Sequence, residues 1–101
     1  MIRIIYRFAV SPEHHDAFQR AYEAVVNAHV AAGHGALESM LLSDPETPDR
    51  LVAVSRWSSR ARWLAFQNDA VAPEAYAELR AHGTLIDKTV FEERVCLRAP
   101  H

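Results

Sequence analysis

The sequence predicts one α+β domain with the element order β-α-β-β-α-β and all helices on one face of an antiparallel sheet. Three patterns predict it. Residues 2–10 and 51–57 alternate at strand period, and the segments that follow them repeat at helical period. Asp44-Pro45-Glu46-Thr47-Pro48-Asp49 is turn chemistry, and it joins two apolar stretches closely enough for a hairpin.

In the first strand Ile2, Ile4, Tyr6, Phe8 and Val10 share one parity, and Arg3, Ile5, Arg7 and Ala9 share the other. Both faces are partly apolar, as in a strand with protein on each side. Ser11-Pro12-Glu13 predicts a helix start, with Ser11 as N-cap, Pro12 in the first position and Glu13 at the positive end of the dipole. Phe18, Tyr22, Val25 and His29 form its stripe, widened by Ala21, Val26 and Ala28. Gly33 and Gly35 end it.

Residues 36–43 and 51–57 predict the hairpin strands. Ser58 or Ser59 caps the next helix, whose buried face carries Trp63, Phe66 and Ala70 with Leu64 beside them. Residues 68–72 interrupt the pattern. Pro73 restarts a helix with Tyr76 and Leu79 on one side, and His82-Gly83 ends it. Residues 84–97 predict a long last strand alternating at Leu85, Thr89, Phe91, Val95 and Leu97. This order is the ferredoxin-like arrangement. It leaves one sheet face bare, mixing Ile5 and Val54 with Arg3, Arg7 and Arg56. A face of that mixture predicts a homodimer that pairs sheet on sheet.

The whole of 1–101 forms a single domain. A chain of this size buries only about two thirds of the surface its unfolded form exposes, so a partner subunit would help it. The formal net charge is −2 and no basic block occurs, which excludes a nucleic-acid footprint and a polybasic membrane patch. One cysteine, Cys96, rules out an intrachain disulfide and a cysteine zinc site, and Cys96 is expected to pack rather than react. Residues 1–10 lack the apolar run of a secretory leader, and no window has the roughly 18 apolar residues of a membrane span, so a cytoplasmic protein is expected. His14, His15 and His34 show no metal spacing, and no phosphate loop or dinucleotide fingerprint occurs. The expected metals and cofactors are therefore none.

The stretch Leu51-Val-Ala-Val-Ser-Arg-Trp57-Ser-Ser-Arg-Ala-Arg-Trp63-Leu-Ala-Phe66 resembles the antibiotic biosynthesis monooxygenase family of dimeric α+β barrels. A strand ending in Trp, a Ser helix start and aromatics on a short helix carry the resemblance. Ser11-Pro12-Glu13 with Phe18 extends it, and it covers residues 2–95. It implies a homodimeric, cofactor-independent monooxygenase acting on a small aromatic or quinol-type substrate. The family also holds haem degraders and members of unknown role, so a non-catalytic ligand-binding domain and a haem protein are the alternatives. Family oxygenases and haem degraders lean on a strand-borne Asn, but the asparagines here, Asn27 and Asn68, fall in predicted helices, and Tyr6 stands where a haem degrader has its Asn. Phe66 stands at the helix Trp of haem degraders, and His82 aligns with their haem-ligating His.

Such an oxygenase needs an apolar slot, aromatic walls and a few polar groups that handle a proton and developing charge. His29, Tyr6, Tyr22 and Trp57 are the catalytic candidates. Trp63, Phe66, Tyr76 and His82 are the substrate-binding candidates. Each has a structural counterpart. Trp57 locks helix to strand, with its indole N–H otherwise available as a donor. His29 and His82 complement helix C-termini, and the tyrosines fill core. Arg7 and Arg56 would anchor an anionic ligand or, as favoured here, pair with Glu92 or Glu93 across a dimer interface.

Overall fold

The computed structural model describes residues 1–33, 35–67 and 71–99. Strand β1 (Ile2–Ala9) leads through a 3-10 turn (Pro12–His14) into helix α1 (His15–Ala31). Strands β2 (Glu38–Ser43) and β3 (Arg50–Trp57) form the hairpin. Helices α2 (Arg60–Gln67) and α3 (Pro73–His82) follow, then strand β4 (Thr84–Glu92). The sheet order is β2-β3-β1-β4, antiparallel throughout. This is the ferredoxin-like α+β fold that the periodicities predict.

Local differences from the sequence expectations have identifiable causes. Ser11 does not cap with its side chain. Its carbonyl accepts the His14 N–H at 2.8 Å, which closes the 3-10 turn and places the start of α1 at His15. Ser59 does cap α2, its Oγ accepting the Arg62 N–H at 3.1 Å. The last strand stops at Glu92, so Val95 and Leu97 are exposed instead of continuing the sheet. Within β4 the register slips, Arg7 facing Asp87 while Phe8 faces Leu85. The extra residue moves Leu85 to the opposite sheet face from Thr89 and Phe91, so the simple alternation fails. Cys96 is exposed rather than packed, and Leu64 also faces solvent. Ala70, Asn68 and His34 lie outside the described residues.

The buried face of α1 is Phe18, Ala21, Val25 and His29. It lies over Ile2, Ile4, Leu51, Ala53, Ser55 and Trp57, the buried parity of β1 and β3. One end of this layer is tightly packed. Phe18 is fully buried, edge-on to Phe8 at 5.0 Å between ring centroids, with Val10 and Leu51 beside it. Gly83, between α3 and β4, fits under Phe18 only because it has no side chain. A Cβ there would stand 2.7–2.8 Å from the Phe18 ring and Val10 Cγ2. Its φ of −159° is ordinary extended backbone, so the demand for glycine is steric. Gly83→Ala is expected to destabilise by about 1–3 kcal/mol through overpacking, read as a lower urea midpoint with unchanged slope.

The other face of the sheet carries no helix among the described residues. Ile5, Val52 and Val54 sit centrally, flanked by Met40, Leu42 and Phe91, which are more exposed. Arg3, Arg7 and Arg56 on it pair within the chain. Glu93 accepts two bonds from Arg56, at 2.6 and 3.0 Å, and one from Arg3 at 3.1 Å. Arg7 pairs with Asp87 at 2.9 Å. The expected pairing of Arg7 and Arg56 with Glu92 or Glu93 of a second copy is therefore corrected: Glu93 reaches Arg56 inside the chain, and Arg7 uses Asp87.

The Arg56 bonds, with help from Arg3, hold the Glu93 carboxyl at about 2, below its ordinary 4.5. A depressed carboxylate stabilises the fold above its unfolded value and loses that contribution as pH falls through the folded one. Wild type and Glu93→Gln should therefore differ most in urea midpoint above pH 4.5, and the difference should shrink toward pH 2. A constant difference across that window would contradict the assignment.

Candidate functional site

Between α1, α3 and the sheet lies an apolar cavity of about 150 Å³. Small residues make the space. On β3 the buried parity runs Leu51, Ala53, Ser55, Trp57, and the small middle pair floors the cavity between two large neighbours. Tyr6 and Phe8 of β1 and Ser39 of β2 complete the floor. Tyr22, Val25, Val26 and His29 come from α1, Phe66 from α2, and Tyr76 and Leu79 from α3.

One polar pair spans the helices. His29 Nε2 and the Tyr76 hydroxyl are 2.8 Å apart. The imidazole is buried and is held by rings: Phe66 lies 3.9 Å from it between centroids, and Trp57 lies 5.0 Å from Phe66. His29 therefore has a fixed orientation in apolar surroundings. Burial pushes the Tyr76 phenol up to about 12. Burial likewise raises Tyr6 and Tyr22, a rise partly offset by hydrogen bonds from Trp63 and Ser39 respectively. All three tyrosines are thus neutral hydroxyls near pH 7, and those of Tyr6 and Tyr76 are placed to donate to an anionic oxygen.

The structure brings most of the predicted residues together. Tyr6, Tyr22, His29, Trp57, Phe66 and Tyr76 all line the cavity. The role pictured for the Trp57 N–H changes, because it donates to Ser55 Oγ at 2.9 Å and so is already engaged. Trp57 contributes its ring. Trp63 is buried beside Ile2 and Ile4 rather than lining the cavity. Its Nε1–H donates to the Tyr6 hydroxyl at 3.1 Å, so it positions Tyr6. Because indole is only a donor, the Tyr6 oxygen must accept, leaving its own proton for another acceptor. The Tyr22 hydroxyl donates to the Met40 carbonyl at 3.2 Å. His82 is not in this cavity. It faces a separate cleft, its Nδ1 2.9 Å from Nδ1 of His14.

Ser55, Ser39 and Ala53 were not singled out from sequence. The signal for Ala53 and Ser55 was present: two small residues at buried parity in a strand that otherwise places Leu and Trp there. Ser39 carries no such signal, since its face depends on the hairpin register. Among the described residues no cluster of three or more His, Cys, Asp or Glu side chains could hold a metal ion. No described helix is long and apolar enough to cross a membrane.

Comparison with solved structures gives the same architecture. A variant of SnoaB, a cofactor-independent oxygenase from Streptomyces nogalater, superposes with a TM-score of 0.77 at 19% identity, covering 97% of each chain. HapK from Hahella chejuensis superposes with a TM-score of 0.77 at 16% identity over the full length of both chains. A conserved protein from Methanosarcina mazei gives 0.73 at 14% identity over 92% of each chain. At these identities the likeness is one of fold. No curated protein matches the sequence. Residues 1–81, most of the chain, match the antibiotic biosynthesis monooxygenase family. The chain accordingly belongs to the antibiotic biosynthesis monooxygenase family.

Proposed function

We propose that this chain is a monooxygenase that acts on a small aromatic or quinol-type substrate without a bound cofactor. The observation that carries this is the His29–Tyr76 pair at 2.8 Å in the wall of an aromatic cavity. A phenolic substrate lying against the rings of Phe66, Trp57 and Tyr6 would meet an imidazole able to take its proton. The Tyr6 and Tyr76 hydroxyls would hold the resulting oxyanion. The electron-rich substrate anion then reduces molecular oxygen directly, one oxygen atom entering the product and the other leaving as water.

Oxygen uptake by the unsupplemented protein with anthrones and hydroquinones tests the proposal. Turnover with oxygen consumption is expected, and no consumption across the panel would overturn it. A binding-only role has one observation in its favour. Asn27 is exposed on α1, so among the described residues no asparagine reaches the cavity. Saturable quenching of Trp57 by the same compounds, with no oxygen uptake, would select that role. The haem alternative draws no support from His82, which stands outside this cavity.

We also propose that the bare sheet face pairs two copies. Ile5, Val52 and Val54 form an apolar centre suited to sheet-on-sheet packing. Sedimentation at twice the chain mass checks this.

A further inference from the structure

The cleft that receives His82 is chemically unlike the aromatic cavity. It lies between the 3-10 turn before α1 and the C-terminus of α3, has a volume of about 360 Å³, and is lined by Ser11, Asp49, Arg80 and Thr84 besides the two histidines. Both imidazoles are half-buried, and their Nδ1 atoms point at each other across 2.9 Å. A Glu78 carboxylate oxygen stands 3.4 Å from the far nitrogen of His82, Nε2. A carboxylate there favours a proton on Nε2, so Nδ1 of His82 accepts the hydrogen bond between the rings and Nδ1–H of His14 donates it.

We propose that His14 and His82 form a two-histidine site for a divalent transition ion of the Zn²⁺ type. The ligand chemistry suits it. Imidazole nitrogens bind such ions, and metal-bound histidines commonly donate their other ring N–H to a carboxylate, the place Glu78 occupies. The geometry is close. Two nitrogens at Zn–N distances of about 2.0–2.1 Å on a tetrahedral ion stand roughly 3.4 Å apart, so binding turns the two rings slightly apart and moves the proton of His14 from Nδ1 to Nε2, replacing the 2.9 Å hydrogen bond. Among the described residues no third His, Cys, Asp or Glu completes a protein-only site, so the remaining positions fall to water, for which the cleft has room. Asp49 and Arg80 bring opposite charges to the same cleft. The ion would tie together residues 68 apart in sequence and so stabilise the folded chain by mass action.

The test uses full-length, tag-free protein titrated with Zn²⁺ by calorimetry, alongside thermal unfolding. One ion per chain and a Tm raised by several degrees are expected. His14→Gln and His82→Gln should each abolish both effects while retaining the wild-type circular dichroism. Glu78→Gln, at an exposed position that does not threaten folding, should weaken binding about 10- to 100-fold. No heat and no Tm shift up to millimolar Zn²⁺ would overturn the site, as would undiminished binding in the two histidine variants. Unchanged affinity in Glu78→Gln would also overturn it, by removing the ordering of His82 on which it rests.

Discussion

Phe18→Ala is expected to lower unfolding stability by about 3–5 kcal/mol, the range for losing a fully buried aromatic ring. Phe18 is 0% exposed and joins three parts of the chain: Phe8 on β1, Leu51 on β3 and Gly83 before β4. Its surroundings are built tightly around the ring, so the void will not close easily. A domain of this size has only about 5–15 kcal/mol in total, so the variant should be partly unfolded at modest urea concentrations. The contact with Gly83 supplies an internal control. Adding Gly83→Ala to Phe18→Ala should cost less than Gly83→Ala alone, because the offending ring is gone. Urea midpoints for the two singles and the double measure that coupling. Strict additivity would show that the ring is not what excludes a Cβ at position 83.

On the proposed chemistry, His29→Ala should reduce kcat/KM by about 10²- to 10⁴-fold, the usual contribution of a positioned general base. Steady-state oxygen uptake on whichever phenol the protein turns over measures it. A purely structural histidine would give a different pattern, with loss of Tm and little change in the rate of the molecules that remain folded. The pH dependence separates the two further. Any pH dependence of kcat/KM that wild type shows and His29→Ala lacks belongs to the imidazole. Tyr76, held up at about 12 by burial, should contribute no alkaline limb in the neutral range. Tyr76→Phe keeps the ring and removes the 2.8 Å bond, so it should lower kcat with substrate binding nearly intact. Equal activity in both variants and wild type would end the role assigned to the pair.

The sequence carried the fold well because its strongest signals are local. The parity of Ile2, Ile4 and Tyr6 and the spacing of Phe18, Val25 and His29 each need only one element to be correct. The cavity was legible for the same reason: its large residues lie on buried parities that converge once the element order is known. What escaped depends on pairings between distant segments. The slip opposite Arg7 and Phe8 reverses the side of Leu85, and nothing within residues 84–92 announces it. The engagement of Trp57 with Ser55, of Trp63 with Tyr6 and of Glu93 with Arg56 are choices of partner, which periodicity does not encode. His82 was read as a ligand-binding residue from its alignment with a haem-ligating histidine, and a one-dimensional alignment does not say which cleft the end of α3 overlies.

The internal pairing of Arg3, Arg7 and Arg56 bears on how the bare sheet face meets a covering surface. Charged groups buried without counter-charges demand them from the incoming partner, and such contacts weaken as salt screens them. Here Glu93 and Asp87 already supply neutralisation from the same chain. A surface arranged this way exerts little long-range pull and sets few rules of charge matching. Association on it depends on contact between Ile5, Val52 and Val54 and whatever lies opposite, and should be nearly indifferent to ionic strength.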